Sequence, residues 1–141
     1  MITKIGHMAL KVKDLEASCR FYMDVLGFQE AFKLYNDEGQ VSICYLHIAA
    51  GQFIELFPNG QGTYAYAAEA VGPSHICYEV DDIEKALKHI SEKGIPIDSP
   101  VKKGKSGCLQ FWIKDPDGNR IELMELPVDS LQAKAKKALG Y

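Results

Sequence analysis

Four side chains of this 141-residue sequence have the chemistry of metal ligands and recur as two equivalent pairs, His7 with Glu55 and His75 with Glu122. The two histidines lie 68 residues apart and the two glutamates 67. Imidazole and carboxylate are borderline-to-hard donors that suit Ni²⁺, Co²⁺, Zn²⁺, Mn²⁺ or Fe²⁺ without distinguishing among them. Four such ligands leave one or two positions of an octahedral ion for water or substrate, and an open position separates catalytic from structural sites. Taken singly, each residue has a plainer explanation, since a lone strand histidine is more often a packing or surface residue. A glutamate set between Ile54 and Leu56, or between Ile121 and Leu123, is harder to dismiss. Burying a carboxylate without a partner costs several kcal/mol or more. Recurrence of both residue types at matching places is explained by one site with one divalent ion.

Parity narrows the choice. Glu125, three residues from Glu122, faces the other side of its strand. Glu79 shares a face with His75, but its counterpart in the first half is Lys11. His47 and His89 have no repeat partner; His89 falls on the polar side of a helix, and alternation aims His47 either way. Cys19, Cys44, Cys77 and Cys108 are scattered with no CxxC pair, which reads as reduced, mostly buried thiols rather than a zinc knot or disulfide framework. Lys102, Lys103 and Lys105 flank Gly104 in an expected loop, where they are either solvated or meet a substrate carboxylate or phosphate.

The elements that must position these groups come from the repeat. His7 to Ser18 aligns with His75 to Ala86, sharing Val12 with Val80, Asp14 with Asp82, and Glu16 with Glu84. Phe53-Ile54-Glu55-Leu56 aligns with Arg120-Ile121-Glu122-Leu123. Each half opens with a short strand, near 4–12 and 74–80. A helix follows, capped by Asp14 with an apolar stripe of Leu15, Cys19, Tyr22 and Leu26 in the first half. In the second half Asp81 and Glu84 make a capping-box-like pair, and Ile83, Leu87 and Ile90 supply the stripe. Gly27 and Gly94 stand where a left-handed residue ends a helix. Three strand-like runs come next in each half: 29–33, 41–49 and 52–57, then 95–97, 108–114 and 119–126. Asp115-Pro-Asp-Gly118 supplies the turn before the last. If first and last strands of a half lie side by side, its histidine and glutamate share one face, and a pseudo-twofold gathers both pairs.

Composition excludes several roles. The net charge of −3 and pI near 5.8 give no electrostatic case for nucleic acid. With a mean hydropathy of −0.13, the chain holds no apolar run near the roughly 18 residues that span a bilayer. The start, MITKIGHMAL, lacks a signal peptide's apolar region, so a cytoplasmic location is expected.

On His7 before Val12-Lys-Asp-Leu15, Phe21-Tyr22, Leu26-Gly27-Phe28, Ile54-Glu55-Leu56, His75-Ile76 and Asp115-Pro-Asp-Gly-Asn-Arg-Ile-Glu-Leu123, the sequence resembles the vicinal-oxygen-chelate superfamily over about 3–126. Within it, the pattern is similar to bacterial-type glyoxalase I (lactoylglutathione lyase). The resemblance implies an α+β fold of two paired βαβββ modules forming a curved eight-stranded mixed sheet. The expected organisation is one domain over 1–126, with modules at about 3–57 and 74–126, a connector at 58–73, and a tail at 127–141 that forms a short helix carrying Leu131, Ala135 and Leu139. His7, Glu55, His75 and Glu122 fall on the family's four ligand positions, with Glu122 the leading base and Glu55 the other candidate. A carboxylate at 55 favours the glyoxalase branch, because related acyl-CoA epimerases usually have Gln there.

The implied reaction converts a thiol hemithioacetal of methylglyoxal to a 2-hydroxyacyl thioester through an enediolate. The implied assembly is a homodimer, because in many glyoxalases two chains form the site jointly. Expected substrate-binding residues are Lys11, where glutathione-using members often carry Arg, Asn59, which matches an asparagine contacting the glutamyl end of glutathione, and Lys103 and Lys105. The alternatives are another enzyme on the same metal cup (epimerase, dioxygenase or thiol transferase) and a non-catalytic small-molecule-binding protein.

Overall fold

The computed structural model describes all residues except Thr63 and Ala70, which belong to the expected connector 58–73 and lie outside the described residues. The chain divides into two compact units, Met1–Tyr64 and Ala65–Tyr141.

In the first unit, strand β1 (His7–Lys11) leads into helix α1 (Leu15–Arg20), which continues as a π-helical turn over Phe21–Val25. Asp14 caps α1 by accepting the Ala17 N–H at 2.9 Å, as expected from its type and place. Gly27 ends the helical segment at φ +76°, a backbone region that costs glycine nothing. Strands β2 (Gln29–Tyr35), β3 (Val41–His47) and β4 (Phe53–Phe57) follow. The sheet order is β1-β4-β3-β2, with β1 parallel to β4 and the other pairs antiparallel. The helical crossover is what permits the parallel pair. Cys44 and Leu46 of β3 and Ile54 and Leu56 of β4 are fully buried on one face, and Cys19, Tyr22 and Val25 from the helical segment are also buried. The alternate residues, His7, Tyr45, Phe53 and Glu55, share the other face.

The second unit repeats this plan. Strand β5 (Ile76–Glu79), helix α2 (Ile83–Glu92), and strands β6 (Ser99–Lys103), β7 (Leu109–Lys114) and β8 (Arg120–Glu125) make a sheet of order β5-β8-β7-β6, again with first and last strands parallel. Phe111, Ile113, Ile121 and Leu123 are buried on the face against α2, which contributes Ile83 and Ile90. The eight strands thus form two four-stranded mixed sheets, each built as βαβββ.

Three local expectations are corrected. The α2 cap is Asp82 rather than Asp81, because Asp82 accepts the Lys85 N–H at 3.0 Å and the Ile83 N–H is taken at 2.8 Å by Glu125. The strand expected at 95–97 lies instead at Ser99–Lys103, and Asp98 N–H already donates to the Trp112 carbonyl. Pro100 is accommodated because β6 is an edge strand with an irregular register. Lys102 and Lys103 are therefore on a strand, with only Lys105 in the turn that follows. Helix α3 (Leu131–Ala138) is capped by Ser130 and buries none of its own residues, leaving Leu131 and Leu139 exposed.

Candidate metal centre

In the first unit the parallel register sets His7 opposite Phe53, so Glu55 lies two residues along β4 on the same face. The His7 Nε2 and a Glu55 carboxylate oxygen are 3.5 Å apart. Glu55 is buried, whereas about half of the His7 side chain is open to solvent. Tyr45 stands opposite Glu55 on β3 and hydrogen-bonds its carboxylate, which holds the phenol above its usual range. His47, left undecided by alternation, lies on this same face, pairs with Phe53 in register and touches its ring.

The second unit reproduces the diagonal. Ile76 pairs with Ile121 and Cys77 with Glu122, so His75, one residue ahead of the strand, again precedes its glutamate by the same offset. The His75 Nε2 lies 3.1 Å from a Glu122 oxygen, and Glu122 is buried. The flanks differ from those of Glu55. Trp112 takes the place of Tyr45 opposite the glutamate and meets the His75 ring edge-on at 4.8 Å. Cys77 takes the place of Ala9; burial, then the neighbouring Glu122 charge, push its thiol up to about 12, so it is neutral at pH 7.

Lys11, four residues along β1 from His7 and on the same face, lines a cavity of about 420 Å³ with Asn36, Gln40, Val41, Ser42, Pro58 and Asn59. Asn59 holds φ +66°, uncommon for a residue other than glycine. Gly60 packs so closely on the end of β1 that a Cβ there would sit 3.0 Å from the Val12 carbonyl atoms, while its N–H donates to that oxygen at 2.8 Å. Lys103, by contrast, lies 3.9 Å from Asp129.

Residues 4–123 match the family model of the Glyoxalase/Bleomycin resistance protein/Dioxygenase superfamily. The chain belongs to this superfamily. It is 34% identical over 128 residues to a lactoylglutathione lyase of Haemophilus influenzae, covering 86% of this chain and 92% of that protein. It is 30% identical over 127 residues to the mitochondrial methylmalonyl-CoA epimerase of Homo sapiens, covering 85% of this chain and 72% of the relative. A glyoxalase family protein from Enterococcus faecalis has the same fold, with a TM-score of 0.75 at 26% identity over 86% of this chain and 97% of the other.

For this superfamily member, the structure brings His7 to Glu55, His75 to Glu122, and Lys11 to Asn59, each within one unit. Among the described residues no three His, Cys, Asp or Glu side chains gather into one cluster, so donors are presented in twos. Each pair fits a share of a divalent ion's coordination, because a buried carboxylate and an imidazole converge and, among the described residues, no lysine or arginine is ion-paired to that carboxylate. Tyr45, Trp112 and Cys77, which flank the glutamates, escaped sequence reasoning. Each is identified only by cross-strand register, and register between β3 and β4 (Tyr45), β7 and β8 (Trp112) or β5 and β8 (Cys77) leaves no local signature.

Proposed function

We propose that the chain is a metal-dependent, glyoxalase I-like lyase that converts the hemithioacetal of a 2-oxoaldehyde such as methylglyoxal to a 2-hydroxyacyl thioester through an enediolate. The observation that carries this reading is the repeated His–Glu diagonal with a buried carboxylate in both copies. In this reading His7, Glu55, His75 and Glu122 together hold one divalent ion, of Ni²⁺, Co²⁺, Zn²⁺, Mn²⁺ or Fe²⁺ type. When bound, the ion supplies Lewis-acid stabilisation of negative charge on the substrate oxygens. Glu122 accepts the proton from the sulfur-bearing carbon, and the electron pair of that C–H bond becomes the carbon–carbon double bond of the enediolate. Return of the proton to the neighbouring carbon leaves the 2-hydroxyacyl thioester. Glu55, which stands opposite Tyr45, serves as a ligand. Lys11 and Asn59 receive the distal part of the thiol, with Lys103 and Lys105 as further anion contacts. The working form is a homodimer in the cytoplasm.

The human relative favours a second reading, epimerisation of a 2-carboxyacyl thioester, which uses the same removal and return of a carbon-bound proton. The two are separated by adding Ni²⁺, Co²⁺, Mn²⁺, Zn²⁺ or Fe²⁺ to metal-free protein and following thioester formation from methylglyoxal and glutathione. Turnover with at least one ion is expected. No turnover with any ion, together with solvent-deuterium exchange into methylmalonyl-CoA, would overturn the lyase reading in favour of the epimerase.

A further inference from the structure

Arg120 precedes Glu122 by two residues on β8 and so occupies the same face of the sheet. Its guanidinium carbon lies 4.2 Å from the centre of the Tyr66 ring and 4.5 Å from that of Trp112. Trp112 in turn touches His75 and stands opposite Glu122. Tyr66, His75, Trp112, Arg120 and Glu122 all belong to the second unit. A guanidinium held over aromatic rings by cation–π attraction forms no hydrogen bond to a carboxylate or carbonyl in doing so, and keeps N–H donors for a planar anion.

Those donors are unspent. Among the described residues Arg120 forms no ion pair and no side-chain hydrogen bond, and the Glu122 carboxylate that shares its face is engaged by His75. Arginine offers five N–H donors in a rigid fork whose geometry matches a carboxylate bidentately. We propose that Arg120, clamped by Tyr66 and Trp112, binds a carboxylate of the substrate beside the His75–Glu122 pair. This rests on the reading of that pair as half of the reacting centre and narrows the substrate to a compound with a carboxylate within reach of it. The carboxylate belongs either to the acyl portion or to the thiol carrier.

Trp112 is the sole tryptophan of the chain, so its fluorescence reports directly on this cluster. Metal-free protein is titrated at constant ionic strength with malonate, standing for the acyl source, with S-methylglutathione, standing for the carrier, and with neutral malonamide. Calorimetry repeats each titration. Saturable binding of one of the two anions and none of malonamide is expected, and the anion that binds names the source. Arg120→Met should weaken that binding by at least about tenfold, with Arg120→Lys intermediate because it keeps the charge without the fork. Tyr66→Leu, which leaves the arginine in place, should also weaken it. Absence of binding by either anion, equal binding of malonamide, or unchanged affinity in a folded Arg120→Met variant would overturn the proposal. Because no metal is present, these outcomes are independent of metal reconstitution, whose failure would count against the metal reading alone.

Discussion

At the scale of single residues, the two glutamates occupy the same register position yet have different neighbours. Glu55 faces the Tyr45 phenol, whereas Glu122 lies between the Trp112 ring and the Cys77 thiol, which is neutral at pH 7. Their amide variants should therefore separate. Glu122→Gln is expected to retain partial metal binding while lowering kcat by about 10²-fold or more, the range for loss of a general base. Glu55→Gln should act mainly through metal affinity. Steady-state kinetics on metal-loaded protein distinguish the two, and normal turnover by Glu122→Gln would assign the base elsewhere. The four candidate ligands were legible because each recurs in type and place, and His–Glu pairing needs only that the first and last strands lie together. Arg120 was not legible as a site residue, since its meaning depends on Tyr66, 54 residues away, and on the ring of Trp112.

At the scale of elements, helix starts and loop anchors carry testable charge and packing terms. The Asp82 carboxyl accepts the Lys85 N–H, and its oxygen lies 2.9 Å from the Lys85 ammonium; these hold it below the usual carboxylate range. A group whose folded pKa is depressed adds stability above its unfolded value and loses it as pH falls through the folded one. Asp82→Asn keeps a capping oxygen but removes the charge. The stability gap between wild type and this variant should be full at neutral pH and close as pH falls below about 4, read from denaturant melts across pH. A gap that persists at pH 2 would show that the charge is not its source. Gly60→Ala forces a methyl group against the Val12 backbone, and overpacking of this kind costs about 1–3 kcal/mol. Thermal melts should record that loss, and a wild-type melting temperature would contradict the close approach. Patterning located all three α-helices and most strands. It misplaced β6 by four residues at its start, because Pro100 and a bulged edge register resemble a loop, and it chose Asp81 over Asp82 because both precede Ile83.

At the scale of the whole molecule, the repeat seen in the sequence reappears as two βαβββ units with the same strand order and the same parallel pair. Each unit presents one His–Glu pair, so the proposed four-ligand centre requires both. If the pairs meet across two copies of the chain, His7→Ala and His75→Ala are each inactive alone, but their mixed dimer retains one intact set of ligands. Refolding an equal mixture should then recover about a quarter of the wild-type sites, as random pairing within a two-fold dimer dictates. No recovery would place both pairs in one chain. The central claim, that the two pairs act as one centre, is tested most directly by the stoichiometry of Ni²⁺ or Zn²⁺ binding to metal-free protein, measured by calorimetry in wild type and in His7→Ala, Glu55→Ala, His75→Ala and Glu122→Ala. One ion per chain, weakened by at least about tenfold in every variant, is the expected result. Two ions per chain, or a variant of one pair that leaves binding at the other intact, would show two independent sites and contradict the account.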